Sequence, residues 1–116
     1  MSRILRLYLN DIVESCKKIA HYTSGMSFVD LSSDEKTLDA VVRNHEIIGE
    51  AVKSLPPDLL DTHSEVEWRK IARFRDVVTH HYFKVDIAVI WDIIENKIEP
   101  LRKAVEAINN ELGADK

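Results

Sequence analysis

The chain has 116 residues, and among them only one cysteine, three prolines and three glycines. The lone Cys16 excludes a disulfide framework and a cysteine-based zinc site. Scarce glycine and proline argue against an all-β fold, which needs frequent turns, and against disorder. Long apolar runs are also missing. The longest, Ile87 to Trp91, is far short of the roughly 20 residues that span a bilayer. Arg3 and Arg6 precede a few apolar residues, but Asn10, Asp11 and Glu14 interrupt them, whereas a secretory leader needs about 7–15 in a row. A cytoplasmic protein with no membrane partner is expected. Finally, there is no basic excess. The net charge is −4, which taken over the whole chain argues against a nucleic-acid partner.

What is present is helical periodicity. The length suits one domain, residues 1–116, and a chain of this size buries roughly 65% of its unfolded surface without staples. From about Ser2 to Tyr22, the residues Leu5, Leu9, Ile12, Cys16 and Ile19 recur at alternating intervals of four and three, the signature of an amphipathic helix. Thr23, Ser24 and Gly25 end it, and Met26 to Ser33 reads as a connector. Ser32 and Glu35 have capping-box spacing, which predicts that the second helix starts there. Its core face runs through Leu38, Val41, His45, Ile48, Val52 and Leu55 until Pro56 and Pro57 stop it. Asp58 to His63 is expected to form one short turn. Ser64 and Glu67 repeat the capping-box pattern ahead of a third helix that reaches His80 or Tyr82. Asp86 is the expected N-cap of a fourth, whose stripe is Ile87, Trp91, Ile94, Ile98, Leu101, Val105 and Ile108. Pro100 should kink or split that helix near Lys97. The expected fold is therefore all-α, an antiparallel four-helix bundle with a proline-kinked last helix.

The acidic average conceals a local reversal. Between Arg69 and Lys84 stand Arg69, Lys70, Arg73, Arg75 and Lys84 against the single acid Asp76, a local excess of +4. With about 100° per residue, Trp68, Ile71, Phe74, Val77, Val78 and His81 share an apolar arc. Arg69, Arg73, Asp76 and His80 take the opposite face. A basic stripe is in general a solvated face, His45 and His81 fall among core residues, and Asp76 with His80 four residues on forms an ordinary surface pair. The sharper reading has the Asp76 carboxylate orienting the imidazole of His80. Arg75 and Tyr82, seven residues apart, stack at the edge of the apolar arc.

Taken together, Arg75-Asp76-Val77-Val78-Thr79-His80-His81-Tyr82 has the form Arg, four residues, His, one residue, Tyr. This resembles the signature of HepT-like toxins in the HEPN ribonuclease superfamily. The stretch Arg43-Asn44-His45-Glu46-Ile47-Ile48-Gly49-Glu50-Ala51, followed by Leu55-Pro56, is similar to that family's second-helix motif. Trp68 upstream and Val85-Asp86 through Trp91-Asp92 downstream stand in family-like positions. The resemblance implies a homodimeric toxin that cleaves RNA without a metal or other cofactor. Its partner would be an MntA-like nucleotidyltransferase antitoxin that transfers AMP from ATP to the motif tyrosine, here Tyr82. Arg75 and His80 map onto the catalytic pair, and Asp76 belongs to the same site.

The chemistry suits that assignment. RNA cleavage without a metal needs a base for the 2′-hydroxyl, charge stabilisation at phosphate and an acid for the leaving oxygen. A histidine serves as base or acid near neutral pH. An arginine matches phosphate oxygens with a planar fork that keeps its charge. Arg69, Arg73 and Lys84 are expected to contact RNA. One geometric difficulty arises: five residues separate Arg75 from His80, so they point about 140° apart on a regular helix. Two copies facing each other across a two-fold axis would bring both types into one cleft. Two other readings compete. One is an inactive HEPN module that only partners a nucleotidyltransferase. The other is a di-metal helical bundle, disfavoured because no Glu is followed three residues later by His.

Overall fold

The computed structural model describes residues 3–73 and 86–114, and among these there are helices and no strand. α1 spans Arg3–Tyr22, α2 Phe28–Ser32, α3 Glu35–Lys53 and α4 Pro57–Thr62. The helical residues 68–73 are α5, and α6 (Ile87–Asn96) and α7 (Ile98–Ala114) complete the chain. The packed centre is α1 against α3 on one side and α7 on the other. Leu9, Ile12, Cys16 and Ile19 of α1 are fully buried, as are Val41 and Ile48 of α3 and Val105 of α7. The four-three stripes of the first and second helices thus face the common core, with Leu5 and Leu38 half-buried at its edge. The all-α bundle expected from periodicity is the fold observed.

Several boundaries differ from expectation. The connector after α1 contains a helix. Gly25, at a φ of +76°, lets the chain reverse in the left-handed region that a side chain would strain. Ser27 then caps α2 by accepting from Asp30 N (3.1 Å), while the Asp30 carboxylate accepts from Ser27 N (3.0 Å). This is the capping box, five residues earlier than the Ser32–Glu35 pattern placed it. Ser32 lies inside α2, where its hydroxyl donates to the Phe28 carbonyl (2.8 Å) and is no longer available as a cap. Asp34 caps α3 instead, accepting from Thr37 N (3.0 Å) and the Thr37 hydroxyl (2.7 Å). The Ser64–Glu67 pattern also fails to mark a start, since regular helix begins at residue 68. The Trp68 backbone N–H turns back to the Val66 carbonyl (2.9 Å), and its indole N–H donates to the His63 carbonyl (2.8 Å), so residues 63–67 close a tight turn.

Asp86 caps α6 as expected, accepting from Ala88 N (3.0 Å). The break at Lys97 is also where Pro100 predicts it, since a proline there removes the N–H that would bond the Asn96 carbonyl. Its consequence was not visible in the stripe. Ile90 and Ile93 are the buried residues of α6, whereas Ile87, Trp91 and Ile94 are half-buried. The seven-residue stripe spans two helices, and the break between them releases the first from the phase of the second.

Candidate functional site

The sequence places the candidate chemistry on the third predicted helix, and the structure describes how that element is anchored. Trp68 and Ile71 of α5 are buried and Arg69 and Arg73 exposed, the division the helical wheel predicts, and Lys70 is exposed beside them. Among the described residues, no ion pair joins Arg69 or Arg73 to a carboxylate. The Trp68 indole is the firmest anchor, because it is buried and its N–H is satisfied by His63. The His63 ring faces Glu65 (3.6 Å) and Glu111 of α7 (3.9 Å), which ties the turn before α5 to the last helix. The Asp86 cap fixes the chain again where α6 begins. The intervening motif residues Arg75, Asp76, His80 and Tyr82, and with them Lys84 and His81, lie outside the described residues.

Two grooves flank α5. On one side a cavity of about 580 Å³ opens toward α6 and α7, lined by Val66, Ile71, Val89, Ile93, Leu101 and Ala104. At its rim Glu67 accepts from Lys70 (2.7 Å) and Lys97 (3.2 Å), and those two hydrogen bonds hold its carboxyl below the usual range. On the other side a groove of about 920 Å³ runs between α5, α4 and the end of α3, where Lys53 joins Arg69, Lys70 and Arg73. The sequence reading missed Lys53 and Lys97. Both are brought in from other helices, and no local spacing announces such a contact.

His45 of the α3 motif is fully buried, and its Nδ1–H donates to the Val41 carbonyl (2.9 Å). Burial pushes its pKa down to about 4, so it is a neutral core histidine. Cys16 is equally inert, since burial pushes its thiol up to about 12. Among the described residues no His, Cys, Asp or Glu side chains gather into a group of three that could hold a metal ion. No helix there is long and apolar enough to cross a membrane.

Residues 12–108 match the family model of ribonuclease HepT-like proteins, a span that includes both the α3 motif and the Arg75–Tyr82 pattern. The chain belongs to the HepT-like family. Its relatives agree over most of their length. A protein of Methanocaldococcus jannaschii provisionally named as an RNase is 43% identical over 90% of this chain and 86% of its own. One of Thermococcus cleftensis, provisionally named ribonuclease HepT, is 41% identical over 93% of this chain and 98% of its own. A third, from Caldanaerobacter subterraneus and also provisionally named as an RNase, is 42% identical over 89% and 92%. No solved structure matches the chain. Within this HepT-like chain, α5 is the described helix that precedes Arg75–Tyr82 in the sequence.

Proposed function

We propose that this HepT-like chain is the toxin of a toxin–antitoxin pair and a metal-independent endoribonuclease. The observation that carries the reading is the Arg75-x4-His80-x-Tyr82 pattern, which stands inside the family match and directly follows the exposed cationic face of α5. His80 takes the proton from the 2′-hydroxyl, whose oxygen attacks the adjacent phosphorus. Arg75 stabilises the charge that develops on the non-bridging oxygens. The 5′-oxygen leaves with a proton from His80 of a second copy, while Asp76 orients the imidazole. The products are a 2′,3′-cyclic phosphate and a 5′-hydroxyl. A homodimer cleft answers the opposed directions expected of two residues five apart on a regular helix, and the apolar groove between α5 and α6–α7 supports a second copy lying against this face. Arg69, Arg73 and Lys84 hold flanking phosphates.

Neutralisation follows from the same site. An MntA-like nucleotidyltransferase presents ATP to Tyr82. The phenolic oxygen bonds the α-phosphorus, loses its proton, and pyrophosphate departs. The added AMP brings bulk and negative charge beside Arg75 and repels RNA. Mass spectrometry after co-expression with that nucleotidyltransferase should find one or more AMP units on the peptide containing Tyr82, and an unmodified peptide would contradict this step. Expressed alone, the wild type should arrest growth, and Arg75→Ala and His80→Ala should not. A harmless wild type, or variants equally toxic, would leave only a binding module.

A further inference from the structure

We propose that the groove between α5, α4 and the end of α3 binds the single-stranded RNA that flanks the cleaved phosphate, with Lys53 as a phosphate contact. The inference rests on the ribonuclease reading and adds a path for the substrate. The groove, at about 920 Å³, lies near the top of the roughly 300–1,000 Å³ range of small-molecule clefts, so it has room for more than one small group. Its floor is apolar, formed by Leu55, Leu60, Val66 and Ala72, and its rim carries Lys53, Arg69, Lys70 and Arg73. Asp61 and Glu67 are the acids on the same lining, and Glu67 pairs with the rim's own Lys70 as well as with Lys97, so Arg69 and Arg73 are rim cations that no described carboxylate pairs. Cations outnumber acids here in a protein of net charge −4. That local inversion favours a polyanion over an acidic or neutral partner. An apolar floor under a cationic rim suits a single strand, whose phosphates meet the rim while sugars and bases cover the floor. Position supports the same occupant. Arg69 and Arg73 are exposed on α5 and stand six and two residues before Arg75 in the sequence. Lys53 ends α3, a separate helix, and extends the rim beyond α5.

The test uses the full chain. RNA affinity is measured with a cleavage-dead His80→Ala background against a long single-stranded RNA, across a salt series. Lys53→Gln should weaken binding roughly five-fold and reduce the slope of log affinity against log salt by about 0.7. Asp61→Asn should strengthen binding, an opposite effect that loss of folding does not produce. In the active chain, Lys53→Gln should raise KM for the long RNA and leave dinucleotide cleavage unchanged. If the wild type cleaves RNA but neither variant moves affinity or slope, the groove assignment is overturned and the ribonuclease reading stands. If Lys53→Gln instead weakens association with the co-expressed nucleotidyltransferase or with a second copy, the groove is a protein surface and the RNA assignment falls. A wild type that neither binds nor cleaves RNA overturns both.

Discussion

Arg102 and Arg73 are the same residue type in opposite circumstances. Arg102 sits on α7 between Glu99 and Glu106, bonded to both, and those hydrogen bonds push its pKa up. Arg73 sits on α5 with its head in solvent and, among the described residues, no carboxylate against it. The α7 arginine has its charge satisfied within the protein, so it has little left to offer a ligand. Among the described residues the α5 arginines have no such partner. Pairing is decided residue by residue: on α5 itself Lys70 pairs with Glu67, as Lys17 of α1 does with Glu106 and Arg43 of α3 with Glu46. The exposed Arg69 and Arg73 lie over a buried tryptophan. Charge read together with its partners separates Arg73 from Arg102, where charge counted over the chain does not.

That comparison can be broken in three places. The largest effect on stability is expected at the anchor. Trp68→Ala should cost about 3–5 kcal/mol in denaturant unfolding, through the lost burial of the ring and the loss of its hydrogen bond to the His63 carbonyl, which keeps only its bond from Val66 N. A loss below about 1 kcal/mol would mean that α5 is held by something else. Next is the pH dependence from the packed half. The folded pKa of His45 is depressed to about 4, so between that value and about 6.5 the unfolded chain binds a proton that the folded chain does not. Stability should therefore be complete above about pH 6.5 and fall on acidification through that window, by on the order of 3 kcal/mol. Denaturant midpoints measured from pH 7 to pH 4.5 check the sign, and a His45→Leu chain should flatten the curve. The smallest effect separates two serines. Ser27→Ala removes a cap and should cost about 1 kcal/mol, whereas Ser32→Ala removes only a hydroxyl bonded one turn back and should cost a few tenths. Equal losses would return the capping role to Ser32.

The sequence was most legible where one helix faces one core. The stripes through Leu9, Ile12 and Cys16 and through Val41, His45 and Ile48 pointed inward as predicted, because a single buried face imposes a single period. It was least legible where local alternatives compete. Ser27, Ser32, Asp34 and Ser64 are all acceptable caps by type, and the choice among them depends on a turn at Gly25 and on the indole of Trp68 reaching His63. The misplaced burial in α6 has the same origin, since a break at Lys97 permits a change of phase that no spacing rule carries across. Of the candidate site, the exposure of Arg69 and Arg73 was readable from the wheel. Lys53 and Lys97 were not, because they arrive through tertiary packing. The motif from Arg75 to Tyr82 lies outside the described residues, so its chemistry stays a proposal supported by the residues themselves and by the family match.

Arg75 and His80 are proposed to make this chain a nuclease that needs no metal. The most direct measurement is cleavage of single-stranded RNA by the purified full chain in EDTA, compared with His80→Ala. The wild type should cut and leave 2′,3′-cyclic phosphate ends, and His80→Ala should be slower by about 10²–10⁴-fold. A wild type inactive in EDTA but restored by a divalent cation, or a His80→Ala chain as fast as the wild type, would contradict it.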